Sequence, residues 1–295
     1  MHRLPRFEPR RALGRTGFHA TRVGLGDLAD RALGLEVCAA TLRRGLEAGL
    51  NVVDTAPAYE DGFSEEVVGR ALHGFGGPVF LIDKIDHLDR PVAPQLDESL
   101  RRLARPSVDL LVLHSVSRPE AWAAALAPGG PFDQLEEEVR RGRARFVGLS
   151  SHDPSVLAAA LDSGRCDVLM FPVGPFADPR YTEEILPRAR AAGVGTVSFK
   201  TFGAGMLVAD TAGYGRPLEG PGGRPRLTVP DCIRYTLTLD PDVALLGLST
   251  PEEQDAALPA AAAFEPLSPE ALARLRREAA QAVAGKGPVW WNPGA

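Results

Sequence analysis

The sequence predicts an α/β fold: one (β/α)8 TIM barrel over residues 1–295, with an N-terminal hairpin and a long loop after strand 7. Two observations support this prediction. Eight short, β-rich apolar runs recur along the chain, and amphipathic helical patterns separate them. The runs are continuously apolar, as expected of parallel strands that are covered on both faces. Eight strands favour a closed barrel over a doubly wound sheet, which normally has fewer strands and a glycine-rich first turn.

The predicted strands follow one another at short intervals. They comprise residues 22–26, 51–55, 79–84, 108–114, 145–151, 166–172, 193–200 and 243–249. Residues 11–21, which precede them, contain a Gly-Arg-Thr-Gly turn and are predicted to form the hairpin.

Helical patterns with recognisable ends occupy the intervals. Cys38, Leu42 and Leu46 recur at a spacing of four residues and predict the buried stripe of the first helix. Asp153 followed by proline predicts a capped helix start. Residues 250–253, Thr-Pro-Glu-Glu, predict a capping box directly after the eighth strand.

The composition argues against several classes of protein. The formal net charge is −5 and no basic face is evident, so nucleic-acid binding is not expected. The chain has no apolar run of about 18 residues and no N-terminal signal core, which predicts a cytoplasmic protein with no membrane span. Cys38, Cys166 and Cys232 lack CxxC spacing and histidine neighbours, so neither a disulfide framework nor a metal site is predicted.

Two further segments point to a binding pocket. Residues 203–230 are too long and too rich in glycine and proline for an ordinary connection, and they predict a lid or, alternatively, a disordered insertion. Trp290 and Trp291, in the C-terminal tail, either close a pocket or seal the side of the barrel.

Four polar side chains follow three consecutive predicted strands. Asp54 ends the second strand and Tyr59 comes five residues later, while Lys84 ends the third strand and His114 the fourth. They should meet, because the loops after the strands form the open face of a barrel. An ammonium stabilises a phenolate, and a carboxylate keeps that ammonium charged. The set predicts proton transfer at an oxygen, and because no side chain donates hydride it also predicts a nicotinamide cofactor.

The ordered combination of seven segments strongly resembles the aldo-keto reductase family, over nearly the whole chain. The segments are residues 12–17 (ALGRTG), 23–26 (VGLG), 51–59 (NVVDTAPAY), 64–72 (SEEVVGRAL), 99–103 (SLRRL), 108–114 (VDLLVLH) and 142–153 (GRARFVGLSSHD). The resemblance implies reduction of an aldehyde or ketone, or the reverse, by hydride transfer from NADP(H) or NAD(H). It makes Tyr59 the general acid, with Lys84 and Asp54 tuning it and His114 orienting the carbonyl.

The resemblance also implies where the nicotinamide binds. Ser150 and Ser151 stand where the family has a Ser-Asn pair, and Met170 stands where a glutamine holds the carboxamide, which a thioether does poorly. Phe199 takes the place of the aromatic residue that stacks on the nicotinamide ring.

The remaining cofactor contacts follow the seventh and eighth strands. The chain would pass around the pyrophosphate from Lys200, which contacts phosphate or pairs with a local acid, through Thr201, Gly203 and Gly205. Thr250 begins a helix whose N-terminus would attract a phosphate.

The family's basic residues for the 2′-phosphate appear here as Gly247 and Glu253. Glu253 would repel a 2′-phosphate, accept hydrogen bonds from a ribose, or only cap the helix. We therefore expect a weak NADPH preference, with NADH tolerated or preferred, unless Arg224 or Arg226 supplies the missing charge.

Two other functions fit parts of the sequence. One is a nicotinamide-binding regulatory subunit with little catalysis, which the substitutions at Met170 and Ser151 allow. The other is a Schiff-base lyase that uses Lys84 or Lys200 as its nucleophile. The sequence defines neither the physiological substrate nor the oligomeric state.

Overall fold

The computed structural model describes residues 3–9, 11–26, 30–216, 218 and 223–292. Its strands are β1 Arg11–Ala12, β2 His19–Ala20, β3 Val23–Gly26, β4 Val52–Asp54, β5 Phe80–Ile85, β6 Val108–Leu113, β7 Ala144–Ser150, β8 Val168–Pro172, β9 Gly195–Phe199 and β10 Val243–Leu246. Strands β3 to β10 form a closed, parallel barrel, in which β10 pairs with β3. The predicted (β/α)8 barrel is confirmed, and each predicted strand overlaps one barrel strand.

Helices follow the barrel strands and cover the barrel's outer surface. They are α1 Leu35–Glu47, α2 Phe63–Leu72, α3 Val92–Leu103, α4 Pro119–Ala125, α5 Pro131–Arg140, α6 Pro154–Ser163, α7 Leu186–Ala191, α8 Val229–Leu239, α9 Pro251–Ala262 and α10 Pro269–Val283. Asp153 caps α6 by accepting from the backbone N–H of Ser155 at 2.7 Å and of Val156 at 3.3 Å. No helix of the described residues is long and apolar enough to cross a membrane.

The predicted hairpin closes one end of the barrel. β1 pairs antiparallel with β2, and Leu13 between them is fully buried in the inner core of the barrel. The ring of Phe18 packs against the inward-facing Phe80, with the ring centroids 5.1 Å apart. The hairpin therefore leaves the opposite end, where the strands finish, as the open face.

The described part of the loop 203–230 is packed against the barrel. Met206, Leu207 and Leu227 are buried in a cluster with α8, α10 and Trp291. The buried ammonium of Lys286 donates to the carbonyl of Met206 at 2.6 Å and to that of Ala209 at 2.7 Å. Residues 217 and 219–222 of this loop lie outside the described residues.

Candidate active site

A cavity of about 730 Å³ opens where the barrel strands end. Most of the predicted site residues line it: Asp54, Tyr59, Lys84, His114, Ser150, Met170, Phe199, Lys200, Thr201, Gly205, Gly247, Thr250 and Glu253. Of the described site residues, Ser151 and Gly203 are not part of this lining. Gly203 instead lies in a tight turn with a φ of 56°, which glycine adopts without strain.

Lys84 lies between a carboxylate and a phenol at the base of the cavity. Its ammonium donates to Asp54 Oδ1 and to the carbonyl of Thr55, each at 2.6 Å, and lies 4.4 Å from the centre of the Tyr59 ring. Lys84 is 1% exposed and Asp54 5%. Burial raises the pKa of Asp54, and the nearby ammonium of Lys84 opposes that rise. The pair therefore fixes a cation beside the phenol, where it stabilises a phenolate.

The loop between β4 and α2 positions Tyr59. The backbone N–H of Tyr59 donates to the carbonyl of Ala56 at 3.1 Å. Glu60, Asp61 and Gly62 then all have positive φ, of 50°, 52° and 81°, before α2 begins at Phe63. This sharp left-handed turn separates the aromatic residue from the helix.

His114 lies beside Tyr59 and is held by a carboxylate that was not among the predicted site residues. The two rings meet edge to face, with their centroids 5.6 Å apart. His114 Nδ1 contacts Asp86 Oδ1. Asp86 lies two residues after Lys84, and this spacing, which places two side chains on one side of an extended chain, was the signal that could have revealed it.

The region predicted to hold a nicotinamide contains unpartnered polar atoms. Thr201 Oγ1 and His152 Nε2 are buried and have no hydrogen-bond partner in the part of the chain that the structure describes, and both residues line the cavity. Burial lowers the pKa of His152 to about 3, so the ring is neutral. Its centroid lies 5.2 Å from that of Phe199. The aromatic face of Phe199 beside the unpartnered polar atoms of Thr201 and His152 suits the ring and carboxamide of a nicotinamide.

Ser151 has a different local role. Its hydroxyl accepts from the backbone N–H of Asp153 at 3.1 Å, in the turn that precedes α6. The neighbouring Ser150 and His152 face the cavity instead.

The N-terminus of α9 lies at the rim of the cavity. Thr250 Oγ1 accepts from the N–H of Glu253 at 3.2 Å, and Glu253 Oε2 accepts from the N–H of Ser249 at 2.6 Å and of Thr250 at 3.2 Å. The predicted capping box is thus confirmed. The carboxylate therefore places a negative charge at the N-terminus of α9, which reduces the attraction of that end for a phosphate.

The two arginines considered as substitutes for the missing basic residues have other contacts. Arg226 pairs with Asp210 at 2.6 Å, and Arg224 donates to the carbonyl of Gly285. Neither belongs to the described lining of the cavity.

Lys200 lies among aromatic rings at the mouth of the cavity. Its Nζ is 4.7 Å from the centre of the Tyr214 ring and 4.8 Å from that of Trp290, and it donates to the Tyr214 hydroxyl. Trp290 thus lines the pocket, whereas Trp291 is buried against the barrel's side. Tyr214 was not among the predicted site residues, since its position depends on the course of the long loop.

The fold and these side chains agree with a family match over most of the chain. The model of the aldo/keto reductase family matches residues 23–225. The chain belongs to this family.

Individual relatives agree with this assignment. A methylglyoxal reductase, YeaE, of Escherichia coli K12 is 35% identical over 117 residues, which are 39% of each chain. An NADH-specific methylglyoxal reductase of the same organism is 25% identical over 66% of this chain and 68% of its own length. The chain spans 39%, 66% and 61% of the length of three curated relatives that it matches.

A solved structure confirms the fold independently. An aldo-keto reductase from Klebsiella pneumoniae in complex with NADPH superposes with a TM-score of 0.69 over 92% of this chain and 95% of its own, at 22% identity.

Proposed function

We propose that the protein reduces an aldehyde or ketone to an alcohol, or catalyses the reverse reaction, with a nicotinamide cofactor. The observation that carries the proposal is the ammonium of Lys84, which is buried between Asp54 and the ring of Tyr59 at the base of the cavity. A phenol beside a fixed cation transfers a proton at neutral pH far better than a phenol in water. Membership of the aldo/keto reductase family supports the same reaction.

In this proposal Tyr59 donates the proton to the carbonyl oxygen, and Lys84 stabilises the phenolate that remains. Asp54 keeps Lys84 charged and oriented. His114 lies next to Tyr59 and binds a substrate oxygen. When bound, the nicotinamide supplies the hydride, which no side chain can provide.

The residues that would hold the cofactor line the cavity. Phe199 would present an aromatic face to a nicotinamide, and Ser150, Thr201 and His152 would provide polar groups. Gly205, Gly247 and Thr250 also line the cavity and would lie along the phosphates. Met170 gives this site an apolar floor where the resemblance implies a glutamine.

We propose that NADH is accepted at least as well as NADPH. Glu253 places a negative charge at the N-terminus of α9, and this charge opposes a 2′-phosphate. The NADH-specific methylglyoxal reductase shows that the NADH preference occurs among relatives, and the NADPH complex shows the alternative. The relatives also indicate small carbonyl compounds, such as methylglyoxal, as substrates to try first.

We also propose that the protein is cytoplasmic, as the sequence predicts. This proposal is supported by Cys38, Cys166 and Cys232, which are buried free thiols and suit a reducing compartment.

Titration with NADH and NADPH, followed by a panel of aldehydes and ketones with the tighter cofactor, tests the function. We expect binding, seen as a change in tryptophan fluorescence because Trp290 lines the cavity, and cofactor oxidation that depends on an added carbonyl. Binding without turnover across the panel would instead support a regulatory subunit. Trapping of a carbonyl compound on Lys84 or Lys200 by borohydride would support a lyase.

A further inference from the structure

Asp86 binds His114 in the wall of the cavity. Asp86 Oδ1 contacts His114 Nδ1, and Asp86 Oδ2 accepts from the backbone N–H of Ala58 at 2.7 Å. The side chains of Asp86 and His114 are 13% and 15% exposed. The carboxylate is therefore held at both oxygens, and it fixes the imidazole from one side.

This contact determines which ring nitrogen carries the proton. An ionised carboxylate only accepts hydrogen bonds, so Nδ1 must be the donor. A neutral imidazole has a single N–H, and its other nitrogen, Nε2, is then an acceptor. His114 lines the cavity, and with Nδ1 bound to Asp86, Nε2 is the nitrogen left for a ligand.

The electrostatics of the site favour these protonation states. Burial would raise the pKa of Asp86, but the hydrogen bonds with His114 and with the Ala58 N–H, together with the charge of Lys84, lower it. Burial lowers the pKa of His114, as does the ammonium of Lys84, against the opposing effects of Asp86 and Asp54. An ionised Asp86 beside a neutral His114 follows.

We infer that Asp86 is a positioning residue that makes His114 a hydrogen-bond acceptor toward the substrate, so that the site selects carbonyl compounds with a hydroxyl beside the reacting carbonyl. The selection rests on the proposed function, whereas the tautomer of His114 does not. If the unprotonated Nε2 lay next to a carbonyl oxygen, two hydrogen-bond acceptors would face each other without a proton between them. A neighbouring hydroxyl donates to Nε2 while Tyr59 donates to the carbonyl oxygen.

The tautomer is tested by nitrogen NMR of the cofactor-free protein, with the rings labelled and neutral. The His114 signals are assigned by their loss in His114→Gln. We expect a protonated Nδ1 and a bare Nε2. A wild-type His114 that carries its proton on Nε2 would overturn the inference, whether or not the protein is an enzyme.

Asp86→Asn changes the tautomer while conserving the shape of the side chain. The Ala58 N–H still requires an acceptor, so the amide oxygen faces Ala58 and the NH2 group faces His114. The NH2 group donates to Nδ1 and leaves the proton on Nε2. In this variant we expect the NMR signals to show a protonated Nε2 and an unprotonated Nδ1. Asp89→Asn removes an equal charge from an exposed position nearby and should leave the His114 signals unchanged.

Selectivity is measured as the ratio of kcat/KM for hydroxyacetone to that for butan-2-one, in which a methyl replaces the hydroxyl. We expect the ratio to fall about tenfold or more in Asp86→Asn, because the hydroxyl loses its acceptor. Asp89→Asn should retain the wild-type ratio. An unchanged ratio in Asp86→Asn would overturn the selection. No reduction of any carbonyl would overturn the proposed function, and the NMR result would still decide the tautomer.

Discussion

Lys84 and Asp83 are adjacent buried residues of β5, but their side chains lie in different surroundings. Alternate residues of β5 face opposite sides of the barrel wall. Lys84 lines the cavity and pairs with Asp54. Asp83 is fully buried, and neither of its carboxyl oxygens has a hydrogen-bond partner among the described residues. Burial, reinforced by the nearby Glu65, raises the pKa of Asp83 to about 8.

This pKa makes the stability of the fold depend on pH. The carboxyl is protonated in the folded protein up to about pH 8, whereas it ionises near pH 3.9 in the unfolded chain. The stabilisation that comes from the neutral Asp83 is therefore complete below about pH 4 and is lost as the pH rises to about 8. Over this range the free energy of unfolding falls by up to about 1.4 kcal/mol per pH unit.

Asp83→Asn should remove this dependence, because an amide does not ionise. We expect the free energy of unfolding of the variant to exceed that of the wild type increasingly between about pH 5 and about pH 8, as measured by urea denaturation. Asp89→Asn, at an exposed position, is the control and should follow the wild-type curve. Parallel curves for Asp83→Asn and the wild type would show that Asp83 is ionised in the fold at neutral pH.

Among the elements, α9 combines a structural cap with a proposed role in cofactor choice. Glu253 accepts from two backbone N–H groups before the helix, at 2.6 and 3.2 Å. A helix N-terminus attracts anions, and a carboxylate already bound there reduces that attraction. The same side chain therefore stabilises the helix and weakens a site for the 2′-phosphate.

Glu253→Gln should shift cofactor preference toward NADPH. Glutamine also serves in a capping box, so the helix should be retained while the charge is lost. We expect the ratio of the NADPH dissociation constant to that of NADH to fall roughly three- to tenfold. Glu252→Gln removes a charge from the same turn at an exposed position and should change the ratio less. Equal changes in both variants would assign the effect to net charge alone.

For the whole molecule, the sequence predicts the barrel because its evidence is repetitive. The buried strands are largely apolar runs, and several of the intervening helices have a polar face or recognisable ends. The convergence of Asp54, Tyr59, Lys84 and His114 then follows from the order of the strands, which brings the ends of β4, β5 and β6 together.

Side-chain directions within loops were not predictable in this way. Ser151 and Ser150 are adjacent, yet the hydroxyl of Ser151 binds the α6 turn while Ser150 lines the cavity. Asp86 lies in the loop after β5, and the sequence pattern does not show that its side chain turns toward His114. The meeting of Lys200 with Tyr214 likewise depends on the fold of the long loop, for which the sequence has no periodic signal.

Proton transfer by Tyr59 is the central step of the proposed reaction. Tyr59→Phe removes the phenolic hydroxyl and keeps the ring, so cofactor binding should persist. Tyr181→Phe is the matched control, since the Tyr181 hydroxyl is buried without a hydrogen-bond partner in the described part of the chain and lies away from the cavity lining.

The most direct test is therefore kcat for carbonyl reduction in the wild type, Tyr59→Phe and Tyr181→Phe, each saturated with the preferred reduced cofactor. We expect Tyr59→Phe to lose about 10²- to 10⁴-fold in kcat, with cofactor affinity unchanged, and Tyr181→Phe to retain wild-type activity. Full activity in Tyr59→Phe would contradict the assignment of Tyr59 as the proton donor.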